Sequence, residues 1–277
     1  GRDPPPAGRS LVDPPVRIRQ ASRAGTPLLL VVALLIIGVG GWRATHQHRT
    51  VQRLAAATTT ATRTVAVAPV DTRAAGAPPD ASAVVAHVAA LQVFRAAGRP
   101  ALVTTLADPT SYGAPLVLLV VGQAAGWWQV SLPIRPNGST GWVRASDVDL
   151  RMVPYQITIA QHTHTARLWR DGTYVRSFPI AVGKPATPSP DGLFFINVII
   201  DNVGGNQAYG PWVMGLSGFS NVLSTFAGGD AAVAMHGTDE DSSVGTSASH
   251  GCFRMHDADA TTLAHLVTLG TPVYVTP

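Results

Sequence analysis

Residues 235 to 255, MHGTDEDSSVGTSASHGCFRM, bring His236, His250, Cys252 and Arg254 into one short stretch. Cys252 is the single cysteine of a 277-residue chain, so no intramolecular disulfide can form. It is either a buried, inert thiol or a reactive one. His236 stands fourteen residues ahead of His250, and His250 two ahead of Cys252. If the backbone from 250 to 254 is extended, His250, Cys252 and Arg254 project to one side, because side chains alternate with period two. A thiol beside two imidazoles and a guanidinium has its thiolate favoured by positive charge, as a nucleophilic cysteine requires. The small residues Gly237 and Gly251 permit close approach of a substrate backbone. Together these features read as a Cys–His acyl-transfer site.

A zinc hydrolase using His236, His250 and Cys252, with His256 or Asp239 completing the set, is the metal rival. The His-x-Cys spacing is awkward for two ligands of one tetrahedral ion, and no HExxH-like pair is present. No metal and no cofactor are expected. His46, His48, His87, His162, His164 and His265 fall in no partner pattern and read as linker, surface or core residues.

The elements that must position these residues are strand-like. From Val153, YQITIAQHTHTARLWRDGTYVRSFPIAVG reads as two strands joined at Asp171–Gly172, a hairpin signal. GLFFINVII and AAVAMHG supply further strands. After the cysteine, Asp257 is placed to cap a helix whose Ala260, Leu263, Ala264 and Val267 share a face, ending before Gly270 and Pro272. Residues 151–277 are therefore expected to be mainly β with one helix.

Upstream, short apolar runs broken by turn residues, among them APLVLLVVG, GWWQVSLPI and STGWVRASDV, make 83–150 all-β, with a tight turn expected at Asn137–Gly138. This segment resembles a bacterial SH3-like barrel through Trp127, Trp128, Gly141, Trp142 and Val143. Its tryptophans read equally well as wall-binding aromatics or as core. It holds no nucleophile–base pair, so it is expected to position rather than catalyse, and a chain starting near Arg151 is expected to keep its thiol chemistry on small donors.

Residues 25–42, GTPLLLVVALLIIGVGGW, carry no charge and approach the length of a membrane crossing. Arg2, Arg9, Arg17, Arg19 and Arg23 precede them, which holds the N-terminus inside and the body outside. A cleaved signal peptide is the rival, without a small-x-small site at the expected distance. A proline-rich cytoplasmic tail (1–24) is read before the anchor and a linker (43–82) after it. Charged residues are only 13% of the chain, and its arginines are spread out, so the net charge of +4 does not argue for nucleic acid.

The string HG-(spacer)-SHGC-x-R-M resembles the signature of the L,D-transpeptidase catalytic domain family, and VGKPATPSPDGLFFI and YGPWVMGLSGFSNVLSTFAGGD extend the likeness over roughly 153 to 276. The resemblance implies a β-sandwich or barrel with one helix, Cys252 as nucleophile, and His236 as base oriented by the Gly237 carbonyl. Ser249, His250 and Gly251 would shape the site, with N–H groups of Gly251 and Cys252 stabilising an oxyanion. Arg254, where some members have Asn, would bear on a substrate carboxylate, and Tyr209 and Trp212 would be further substrate contacts. Asp191 departs from the Thr common at its position, on a surface turn. The implied partners are peptidoglycan stem peptides, with carbapenem-type β-lactams as inhibitors, and the implied reaction is 3–3 crosslinking or trimming through a thioester. A non-catalytic wall-binding or regulatory protein with a transpeptidase-like fold is the functional rival.

Overall fold

The computed structural model describes residues 76–99, 101–202 and 205–277. The expected tail, membrane segment and linker as far as residue 75 lie outside the described residues. Among the described residues, no helix is long and apolar enough to cross a membrane.

The first seven strands are β1 (Ala81–Ala86), β2 (Ala90–Phe94), β3 (Leu102–Ala107), β4 (Val117–Ala124), β5 (Trp127–Ser131), β6 (Thr140–Arg144) and β7 (Val148–Val153). They form one sheet in the order β3-β2-β6-β5-β4-β1-β7. Period-two patterning decides which side faces in: Leu91 and Val93 of β2, Val130 of β5 and Val143 of β6 are fully buried. Gly141 is needed where β6 crosses β2, since a Cβ there would lie 2.2 Å from Val93 Cγ1. Trp127, Trp128 and Trp142 are half-buried. Trp127 meets Phe94 edge to face at 5.4 Å, and the Arg144 guanidinium covers both rings.

The Asn137–Gly138 pair does not form a two-residue hairpin. β5 and β6 are joined by residues 132–139, in which Ser139 N–H donates to the Pro136 carbonyl at 3.2 Å. Gly138 has a φ of 80° while Asn137 stays out of the left-handed region, so a type I′ turn is not made. The longer loop frees the Asn137 side chain for contacts elsewhere. The Asp171–Gly172 expectation holds: both residues have positive φ, 49° and 75°, and they alone separate β9 from β10.

The second half contains β8 (Tyr155–Ala160), β9 (Thr165–Arg170), β10 (Thr173–Pro179), β11 (Val182–Gly183), β12 (Gly192–Asp201), β13 (Trp212–Phe219), β14 (Ala232–His236), β15 (Ser247–Ser249), β16 (Phe253–Arg254), α1 (Asp257–Leu266) and β17 (Pro272–Thr276). Its eight-stranded sheet runs β10-β9-β8-β17-β12-β13-β14-β16, and β11 pairs with β15 in a separate parallel ribbon. The described chain is thus mainly β with one α-helix, as its patterning requires.

Helix α1 buries Ala260, Leu263 and Ala264, and Val267 closes it by donating to the Leu263 carbonyl. Asp257 is not its cap. The preceding residue is His256, and the Asp257 carboxylate instead accepts the Thr238 N–H at 2.9 Å. An acidic residue in the first turn still complements the helix dipole.

β12 belongs to two cores because alternate side chains leave opposite faces of a strand. Phe194 and Ile196 enter the core of the second half, whereas Phe195, fully buried, joins the core of the first sheet beside Leu118 and Val130. A chain starting near Arg151 would therefore uncover Phe195. Phe195→Ala should cost about 3–5 kcal/mol through lost burial and the cavity left behind. Urea unfolding of the full chain measures this, and a loss under 1 kcal/mol would contradict a shared core.

Candidate active site

The site is built at the β14–β16 end of the large sheet. β14 pairs antiparallel with β13 and parallel with β16, and the register sets His236 opposite Arg254. Cys252 lies two residues before Arg254. His236, Ser249, His250, Gly251, Cys252 and Arg254 all line one cleft, together with Tyr209.

They do not reach it by the expected extended run. Residues 250–252 are a bend, and Gly251 has a φ of 122°, a conformation that L side chains rarely adopt. The bend is tied by Ser249, whose buried hydroxyl donates to the Cys252 carbonyl at 2.6 Å and accepts the Gly251 N–H at 3.1 Å. That second bond occupies the Gly251 amide, one of the two donors assigned to an oxyanion, and leaves the Cys252 amide as the member of that pair beside the nucleophile. Ser249 is itself held by its carbonyl, which accepts from Lys184 N–H and the Thr187 hydroxyl.

His236 is 3% exposed, and its ring meets Tyr209 edge to face at 5.0 Å. Its Nδ1 lies 2.6 Å from the Gly237 carbonyl. A carbonyl can only accept, so Nδ1 carries the hydrogen and Nε2 keeps its lone pair, the tautomer of a general base. Burial lowers the imidazole to about 4, the Gly237 carbonyl pulls it back up, and the Arg254 charge adds to the lowering. The ring is neutral at pH 7.

This has a consequence for stability. The unfolded ring takes a proton near 6.5 while the folded one does not until about 4, so folding loses stability as pH falls through that window. The span corresponds to roughly 3 kcal/mol. His236→Gln should flatten the stability profile between those limits by that order, as read by urea midpoints at a series of pH values. An unchanged slope would show that the ring is not buried neutral.

Cys252 departs from the sequence-based expectation in its electrostatics. Two imidazoles and a guanidinium should favour the thiolate, yet burial raises the thiol above its ordinary value, outweighing a backbone hydrogen bond at Ala234 and the Arg254 charge. Burial is the largest cause at both residues, lowering His236 and raising Cys252. Arg254, the charge acting on both, is paired with Glu240 at 2.8 Å. The resting cleft therefore holds a neutral thiol and a neutral imidazole.

His250 is exposed and stacks on Phe226, with ring centroids 5.2 Å apart. Its Nε2 is 3.3 Å from the Lys184 ammonium, which donates. Gly237 serves packing: a Cβ there would meet the Asp257 carboxylate at 2.2 Å and Gly210 Cα at 2.9 Å, so its smallness seats the Tyr209 loop rather than a substrate. Trp212 is not in the cleft. It packs on the core and meets His265 edge to face at 5.1 Å. Among the described residues, no three His, Cys, Asp or Glu side chains gather where they could hold a metal ion.

Sequence reasoning missed the opposite wall. Leu223, Phe226, Ala227 and Ala231 of the β13–β14 connection, with Asn206 and Ala208, complete the cleft. The signal was a family-like stretch, YGPWVMGLSGFSNVLSTFAGGD, in which Val222, Leu223 and Phe226 are the large apolar residues among Ser, Thr and Gly of its second half.

A model of the YkuD L,D-transpeptidase catalytic domain matches residues 154–275. The chain is 36% identical over 125 residues to an inferred L,D-transpeptidase, YkuD, of Bacillus licheniformis, covering 45% of this chain and 67% of that protein. It is 32% identical over 123 residues to the counterpart of Bacillus subtilis, covering 44% and 66%. The match thus spans about two thirds of the length of these relatives. Among solved structures, an L,D-transpeptidase from Mycobacterium smegmatis aligns at 18% identity and a TM-score of 0.36, covering 59% of this chain and 90% of that one.

Proposed function

The chain belongs to the L,D-transpeptidase catalytic domain family, and from that premise we propose that it forms 3–3 crosslinks between peptidoglycan stem peptides through a thioester on Cys252. The observation that carries this reading is the base: a buried, neutral His236, its tautomer set by the Gly237 carbonyl, on the wall of the cleft that holds the protein's only thiol.

In the reaction, His236 Nε2 takes the Cys252 proton as the sulfur attacks the carbonyl carbon of the third stem residue. The peptide C–N bond then breaks, the leaving D-alanine nitrogen takes the proton from His236, and a thioester remains. The side-chain amine of a neighbouring stem attacks that thioester, gives its proton to His236, and expels the sulfur, which is reprotonated. Water in place of the amine yields trimming. Carbapenem-type β-lactams fit the same chemistry, since their strained amide presents a carbonyl to the thiol and no acceptor amine follows.

The uncharged segment 25–42 and the arginines before it support a single-pass anchor, with the catalytic half outside the plasma membrane facing the wall. The tryptophan-bearing residues 83–150, of SH3-like pattern, support a positioning role on polymeric wall.

The test is incubation of the purified protein with a defined disaccharide tetrapeptide and weighing of the products. Free D-alanine and a dimer joined between third residues are expected. A folded protein that releases no D-alanine would overturn the reading.

A further inference from the structure

One wall of the cleft that holds Cys252 is bonded from the loop between β5 and β6. The connection 132–139 between β5 and β6 presents Arg135 and Asn137 to the segment 219–231. Arg135 donates through Nη1 to the Ser220 carbonyl at 2.8 Å, and through Nη2 to the carbonyls of Leu223 at 3.0 Å and Asp230 at 2.8 Å. Its guanidinium also covers the Phe219 ring at 4.9 Å. The Asn137 amide acts like one rung of a strand: Nδ2 donates to the Phe219 carbonyl at 2.7 Å and Oδ1 accepts the Phe219 N–H at 2.9 Å. One planar cation thus gathers three carbonyls that lie at both ends of the segment, a fork geometry a lysine could not reproduce.

The segment so held is the one that carries Leu223 and Phe226 into the cleft, and Phe226 stacks on His250, two residues from Cys252. Within the segment the Ser220 hydroxyl accepts the Val222 and Leu223 N–H groups, Ser220 N–H donates to the Ala231 carbonyl, and paired bonds between Phe226 and Gly229 close a small turn, while Phe226 itself is 40% exposed.

We infer that Arg135 and Asn137 are positioning residues for the acyl-transfer site, through which the N-terminal sheet sets the cleft wall that Leu223 and Phe226 present to substrate. The inference rests on the proposed transpeptidase reading for its kinetic arm only. Neither residue touches the reacting atoms. Their removal frees a wall that must then be ordered by substrate itself, which weakens binding more than chemistry.

The test uses the full chain with Arg135→Ala, Arg135→Lys and Asn137→Ala. Hydrogen exchange of peptides covering 220–231 should speed at least tenfold in the two alanine variants, with the exchange of β8, β9 and β17 unchanged. Carbapenem acylation should lose roughly tenfold or more in second-order rate, mainly as a rise in the half-saturating concentration and not as a fall in the maximal rate. Arg135→Lys should recover only part of the loss. Unchanged exchange in 220–231 with unchanged half-saturation would overturn the inference, as would exchange that speeds uniformly across both sheets. Should the wild-type protein not be acylated at all, the transpeptidase reading fails and the exchange measurement alone decides the clamp.

Discussion

A carbapenem incubated with the protein should raise its mass by one inhibitor, and Cys252→Ser should leave the mass unchanged under the same conditions. The thiol is the only one in the chain, is partly exposed, and opens into the cleft that holds His236. Attack on the strained amide forms an S–C bond and breaks the ring C–N bond, and the ring nitrogen takes the proton that left the sulfur. A serine hydroxyl there would be far less acidic than the thiol, and a base lowered to about 4 is a weak acceptor for its proton. The expected loss is therefore complete on the time scale of wild-type acylation. Intact-protein mass spectrometry reads it directly. An adduct on the serine variant, or one mapped to Lys184 beside His250, would sink the assignment of the nucleophile.

His236→Ala should slow acylation by roughly two to four powers of ten, the usual share of a positioned general base. The same ring fixes the pH profile. With His236 lowered to about 4 and Cys252 raised, the competent form, neutral imidazole and neutral thiol in one cleft, persists across the neutral range. Acylation should fall only as pH drops toward about 4, where the ring takes a proton and can no longer accept one from sulfur. Stopped-flow rates between pH 4 and 8 would show a plateau over the upper part of that span. A limb centred near 6.5, the ordinary imidazole value, would mean that the ring is solvated in solution and that its burial does not govern the chemistry.

Much of the site was legible because its residues are close in sequence and of unusual types. A single cysteine two residues from a histidine, with a second histidine upstream, is a local pattern that needs no fold to be noticed. What the spacing could not carry was the balance of electrostatics. Counting positive groups around Cys252 suggested a stabilised thiolate, whereas burial makes desolvation a larger effect than the Arg254 charge. The same holds for Trp212 and Gly237. Their residue types admit a role at a substrate, and only packing against His265 in one case, and Gly210 with Asp257 in the other, assigns them to support.

Strand periodicity, the Asp171–Gly172 turn and the apolar face of α1 follow from the sequence by itself, since each depends on side-chain alternation, on φ preferences or on a 3.6-residue repeat, all local properties. So does the nomination of Cys252 and His236 as candidate thiol and base, through their residue types and the family resemblance of the motif around them. Tertiary structure decided the rest: that Phe195 serves the core of the other sheet, that Asn137 leaves its turn to pair with Phe219, and that Arg135 binds the carbonyls of Ser220, Leu223 and Asp230. The Asn137–Phe219 and Arg135–Ser220 contacts join residues 82 and 85 positions apart, and those of Phe195 also cross from one half to the other, where local propensity carries no information. Which partner a side chain meets there is set by how the two sheets bury their faces against each other.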